Sequence, residues 1–160
     1  MCGVCDVALP GYVSTPLHVE SFGKIAAGVG AFTGLIDSSD LFGSSVAVIG
    51  DVDGNGVQDI AVGAPGDDDG FASAGAVYVL FLQANGLVAS FQKISDTSGS
   101  FTAVLGSSDA CGSSVAGIGD LDSDIFEDVV VGCYFDDDGG YDRGAVYVLF
   151  LNAGGSVVSF

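Results

Sequence analysis

Positive charge is what this sequence has least of. Lys24, Lys93 and Arg143 are its only basic residues, against 21 acidic ones, and the formal net charge is −18. No basic patch is available to neutralise phosphates, so nucleic acid is excluded as a partner, and an anionic membrane surface is excluded for the same reason. Histidine occurs once, as His18, and no serine or cysteine has a base beside it in sequence. A hydrolytic triad is therefore not supported. Glu20 and the aspartates could in principle form an acid and base pair, but every Asp cluster already has a metal or turn explanation. No catalytic residue is assigned, and the chain is read as non-enzymatic.

Other absences narrow the field further. There is no run of about 20 apolar residues, so nothing spans a bilayer as a helix. The start, Met1-Cys2-Gly3-Val4-Cys5-Asp6, lacks a basic region and is interrupted by Asp6, which makes it a poor secretory signal. Either the protein stays inside the cell or the sequence lacks its true start, and the second reading is favoured. Cys2 and Cys5 form one C-x-x-C pair with no second pair at zinc-ligand spacing, which argues against zinc.

What the chain does have is length for one ordinary domain, 160 residues, and 49% hydrophobic residues to fill a core. Its most informative stretch is Asp51-Val52-Asp53-Gly54-Asn55-Gly56-Val57-Gln58-Asp59. Oxygen-bearing side chains fall at positions one, three, five and nine (Asp51, Asp53, Asn55, Asp59), and Val57 at position seven offers its carbonyl. A hard cation such as Ca2+ takes about six to eight oxygens of this kind. Gly54 and Gly56 supply the positive φ that a tight wrap needs. An ordinary Asp/Asn/Gly turn is the competing reading, but four oxygen positions in one register favour a metal loop. The twelfth position is Val62, where an EF-hand would place a bidentate Glu, so the EF-hand reading fails. The flanks, Ser45 to Gly50 and Ile60 to Ala64, read as β-strands. The loop therefore joins two strands of a hairpin.

The sequence repeats without a gap. The shift that carries Asp51 onto Asp120 also carries Asp53 onto Asp122, Asn55 onto Asp124 and Asp59 onto Asp128. Ser21 to Ile25 then meets Ser90 to Ile94, Phe32-Thr33 meets Phe101-Thr102, and Gly75 to Leu82 recurs unchanged as Gly144 to Leu151. Each repeat reads as four short strands and no helix: Ser45 to Gly50, Ile60 to Ala64, Ala76 to Leu82 and roughly Leu87 to Ile94 in the first. Four strands per repeat is a propeller blade. The third strand is continuously apolar, which implies burial on both faces between neighbouring blades.

Phe42-Gly43, the Asp-x-Asp-x-Asn-Gly-x-x-Asp loop and Gly63-Ala64-Pro65 together resemble the FG-GAP repeat of integrin α-subunit β-propellers and of many bacterial and algal surface proteins. The resemblance covers about residues 21–160. It implies an all-β fold, a β-propeller segment of about two four-stranded blades. It also implies structural Ca2+ as cofactor and an extracellular or cell-surface role in adhesion or recognition of a protein or glycan ligand. The organisation expected is a degenerate remnant of a preceding blade at 1–20, one blade at 21–89 with its calcium loop at 51–59, and a second at 90–160 with its loop at 120–128 and its last strand cut short. Ligands in the second loop would be Asp120, Asp122, Asp124, the carbonyl of Phe126, and Asp128. Alternatives are an accessory propeller of an exported hydrolase, or a structural or decayed fragment without a ligand.

The second repeat departs from the pattern at Cys111 for Phe42, at Cys133-Tyr134 for Ala64-Pro65 and at Ile125 for Gly56. A β-branched residue held at φ > 0 costs about 1–3 kcal/mol, so the second loop is expected to be the weaker site. Cys111 and Cys133 could be bridged outside the cell. Hairpin register argues against it: with Asp120 across from Asp128, Cys133 lies nearer Val115, leaving two small buried hydrophobes. Asp67-Asp68-Asp69-Gly70, recurring as Asp136 to Gly139, is either a second cation or ligand surface or a solvated turn, and the turn is favoured. Two blades cannot close a propeller, which typically has about 4 to 8. Self-association or further blades are therefore expected.

Overall fold

The computed structural model describes residues 21–160. Cys2, Cys5, His18, Glu20 and the blade remnant expected at 1–20 lie outside the described residues. Among the described residues there are eight strands and no helix, hence no helix long and apolar enough to cross a membrane. The strands are β1 (Ser45–Val48), β2 (Ile60–Ala64), β3 (Ala76–Leu82), β4 (Val88–Ile94), β5 (Cys111–Gly119), β6 (Asp128–Cys133), β7 (Ala145–Leu151) and β8 (Val157–Ser159). They form two antiparallel meanders, β1-β2-β3-β4 and β5-β6-β7-β8. Two four-stranded blades with no closure between them are a segment of a β-propeller. The first sheet ends at Ile94, so the sequence repeat counted from residue 21 is offset from the sheets by strand β4.

β-Branched and aromatic residues make β2, β3, β6 and β7 the inner strands. In β3, six of seven residues are buried, because Val77, Val79 and Phe81 face the second blade while Tyr78 and Leu80 face the segment that precedes β1. There Phe32 stacks on Phe42 at 5.2 Å and meets Tyr78 edge-on at 5.8 Å. Phe101, the counterpart of Phe32, closes on Tyr147 at 5.3 Å inside the core shared by both blades.

The blades meet backbone to backbone. A Cβ added to Gly63 would collide with the carbonyl of Gly112, the carbonyl that also accepts the Ser45 hydroxyl at 2.7 Å. Amides of Ser108, Ala110 and Cys111 donate to Ala72, Ser73 and Ala74 at 2.8, 3.0 and 2.9 Å, which fixes the turn into β5 on the β2–β3 loop. The repeat extends to unusual backbone. Ala31 and Ser100, Ser39 and Ser108, and Leu41 and Ala110 are counterparts, and all six have positive φ.

Cys111 and Cys133 are disulfide-bonded, which corrects the expectation that they are unbridged hydrophobes. Counting back from the loop assumed an uninterrupted ladder. The ladder instead shifts between Gly117 and Gly119 and again between Cys111 and Ser114, so that Cys111 faces Cys133. Gly112, at φ 83°, supplies the backbone for the second shift. The bridge occupies the place that Phe42 and Ala64 fill in the first blade. Replacing both cysteines by serine is expected to lower unfolding free energy by about 3 kcal/mol, given the 22-residue separation. Urea unfolding of the double variant beside the oxidised wild type measures it, and equal midpoints would refute it.

Candidate metal centres

Loop 51–59 is closed by the hairpin beneath it, where Ile49 donates to the Asp59 carbonyl at 3.0 Å and Asp59 donates to the Gly50 carbonyl at 2.6 Å. Within the loop, backbone amides organise the side chains. Asp51 accepts from Asn55 at 2.9 Å and from Gly56 at 2.8 Å. Asp53 accepts from Asn55 at 3.1 Å, and Asn55 Oδ1 accepts from Val57 at 2.8 Å. Asn55 Nδ2 reaches out of the loop to the Leu82 carbonyl at 3.0 Å. Gly54 and Gly56 have φ of 75° and 85°, as the wrap requires. One carboxylate oxygen from each of Asp51, Asp53 and Asp59 lies within 4.8 Å of the others. Three hard, like-charged donors gathered so closely suit a hard divalent cation.

Asp59 does more than line the loop. It is wholly buried; Oδ2 accepts from Val52 at 3.0 Å and Oδ1 from Leu82 at 2.8 Å. One carboxylate thus ties the loop to the end of β3. Burial pushes its carboxyl above the ordinary range, against the pull of those two amides.

The second loop reproduces the backbone-amide-to-side-chain bonds of the first, but Asp124 has no side-chain amide to donate as Asn55 does to the Leu82 carbonyl. Asp120 accepts from Asp124 at 3.0 Å and from Ile125 at 3.0 Å, Asp122 accepts from Asp124 at 3.2 Å, and Asp124 accepts from Phe126 at 2.9 Å. Buried Asp128 accepts from Leu121 at 2.8 Å and Leu151 at 3.1 Å. The trio whose oxygens converge within 4.8 Å is Asp120, Asp122 and Asp124, so the grouping differs from the first loop, where the buried ninth-position aspartate takes part. Desolvation, and then the Asp124 charge beside it, push the Asp122 carboxyl up. Ile125 stands at φ 79°, and Ser123, in the place of Gly54, at φ 68°. Sequence reading found the first of these and missed the second, although the repeat alignment placed Ser123 on Gly54 directly.

The Asp67 to Asp69 turn is not merely solvated, contrary to the favoured expectation. Asp67 is buried and accepts from the Tyr78 hydroxyl at 3.2 Å and the Asp69 amide at 3.0 Å. Lys93 Nζ sits 2.8 Å from Asp67 and 2.7 Å from Asp69. Hydrogen bonding to that ammonium holds the Asp69 carboxyl below its ordinary value. Burial raises the Tyr78 hydroxyl to about 12. These groups line a cavity of about 420 Å³ with Asp37, Asp40 and Phe91. Asp40 and Asp109, both buried and both pushed up by burial, were also missed. Each accepts a backbone amide three residues before it, from Asp37 at 2.7 Å and Gly106 at 2.6 Å.

Residues 42–80 match the FG-GAP repeat family. Integrin alpha-4 of Xenopus laevis is 27% identical over 145 residues, covering 84% of this chain and 13% of the relative. Integrin alpha-3 of Cricetulus griseus is 37% identical over 99 residues, 62% of this chain and 9% of the relative. Integrin alpha-3 of Mus musculus is 36% identical over the same length. The chain thus aligns with only a small part of each relative.

Proposed function

We propose that this chain, whose residues 42–80 match the FG-GAP repeat and which is similar to integrin α-subunits, is a calcium-loaded β-propeller module that serves adhesion or another interaction outside the cell. The observation that carries this reading is the convergence of Asp51, Asp53 and Asp59 on one point of a loop whose amides already hold them in place. The proposed ligands are Asp51, Asp53, Asn55, the Val57 carbonyl and Asp59, and in the second loop Asp120, Asp122, Asp124, the Phe126 carbonyl and Asp128. Calcium neutralises carboxylates that repel one another and locks the β1–β2 and β5–β6 hairpins, a structural role and not a catalytic one. The sequence repeats 21–89 and 90–160 are the two modules, and further blades complete the propeller.

Calorimetric titration tests the assignment. The first loop is expected to bind Ca2+ at least about tenfold more tightly than the second. Holding Ser123 and Ile125 at positive φ costs about 1–3 kcal/mol each, a cost that binding must offset whenever the free loop relaxes. Asp51→Ala should therefore remove the tighter isotherm and Asp120→Ala the weaker. If Asp51→Ala left the tighter isotherm intact, the ranking would be wrong; if neither variant altered binding, the loops would be ordinary turns.

A further inference from the structure

The two metal loops are neighbours across the blade interface. Strand β5 runs so close to β1 that a Cβ added to Gly117 would strike the Val48 carbonyl and lie 3.3 Å from the Ile49 Cα. Just beyond this contact each blade enters its loop through a glycine at the same backbone angle, Gly50 at φ 77° and Gly119 at φ 78°. Glu127 fills the space between them. A Cβ added to Gly50 would fall onto its side chain, 2.9 Å from Oε1, and one added to Gly119 would stand 3.8 Å from Oε2. A side chain of the second loop therefore rests on the residue that opens the first.

Position eight of such a loop need not do this. Its counterpart in the first loop, Gln58, is uncharged and exposed, whereas Glu127 is half-buried. Among the described residues no ion pair includes Glu127: Lys93 is held by Asp67 and Asp69, and the Arg143 guanidinium lies against Gly140 in the β6–β7 turn. Neither cation offsets its charge. Glu127 flanks a loop in which Asp51, Asp53 and Asp59 already converge, so it adds to their mutual repulsion in the metal-free chain and to their attraction for a divalent cation.

We infer that Glu127 is a cross-blade carboxylate through which the second blade strengthens cation binding by the first. It acts on the ligand set without belonging to it: its charge, held against Gly50, the residue before Asp51, raises the affinity of the first loop. The packed backbones of β1 and β5 fix the distance over which that charge acts, and a charge at such an edge is screened less than one in open solvent. Affinity in the first loop is then a property of two blades. The inference rests on the calcium reading and adds to it a residue that the loop formula does not contain.

Calorimetric titration with Ca2+ of the full chain carrying Asp120→Ala, which leaves the first loop as the binding site, reads the effect. Adding Glu127→Gln to that chain should weaken the remaining isotherm about fivefold. Glu127→Asp should instead keep it within about twofold, because its carboxyl carbon takes the place of the Glu127 Cγ over Gly50. The loss in Glu127→Gln should shrink at about 1 M salt, where screening cuts the reach of a charge to about 3 Å. In chelator the same variant should melt no lower than its parent, since it removes a repelling charge from the metal-free loops. A first-loop isotherm indifferent to Glu127→Gln overturns the inference and leaves the calcium reading standing. So does a Glu127→Gln chain that melts lower in chelator and loses affinity equally at every salt concentration, which would make Glu127 a packing residue. Absence of any isotherm in the wild-type chain removes the calcium reading, and this inference with it.

Discussion

Asp59→Ala is expected to lower unfolding free energy by about 2–4 kcal/mol even in chelator, whereas Asp51→Ala changes it little there. The two residues hold equivalent places in the loop formula but unequal places in the fold. Asp51 is part-exposed and bonds only to amides of its own loop. Asp59 is fully buried and accepts amides from Val52 and, across the sheet, from Leu82. Removing it strands two donors, each costing about 1–3 kcal/mol when unsatisfied. Release of a carboxylate that burial has disfavoured returns part of that. Asp59→Asn, which keeps one acceptor oxygen, should fall between. Urea unfolding of the three variants in chelator measures the difference. Equal losses for Asp51→Ala and Asp59→Ala would reduce Asp59 to one more loop ligand.

That inequality illustrates what the sequence could carry. Strands β2 and β3 run Ile60–Ala64 and Ala76–Leu82, the spans read from the β-branched runs, because a repeat makes each run visible twice. The loop was legible for a similar reason: the side-chain bonds within it join residues two to seven positions apart, so spacing encodes geometry. Long-range pairings were not. Lys93 and Asp67 meet only because β4 lies beside β3, and nothing in the local composition of Asp67-Asp68-Asp69 distinguishes a buried anchor from a solvated turn. The disulfide failed differently. Its register depends on two shifts in β5, and bulges leave no signal in a ladder counted residue by residue.

Calcium is expected to raise the melting temperature by about 10 °C or more over chelator. Ligand at a hundredfold excess over its dissociation constant adds about 2.7 kcal/mol per site, and a domain of this size shifts about 2–4 °C per kcal/mol. Two converging trios of carboxylates, in a chain of net charge −18, give the ion repulsion to relieve. Magnesium should rescue poorly, since its smaller octahedral shell fits a multi-oxygen loop less well. Acid should act on the metal-free chain in the same direction. Asp40 and Asp109 have carboxyls raised by burial, so the folded chain binds protons that the unfolded chain does not. Their contribution is fully present below the ordinary value of 3.8 and is lost as pH rises through the raised values. Asp69, lowered by Lys93, works oppositely, and its contribution is lost as pH falls below 3.8. The melting temperature in chelator should therefore climb on acidification from neutral pH and turn down only below that point, while in calcium it should drop as protons compete for the loops. Equal melting in chelator and millimolar calcium at neutral pH would show that the carboxylate trios hold no ion that matters to the fold.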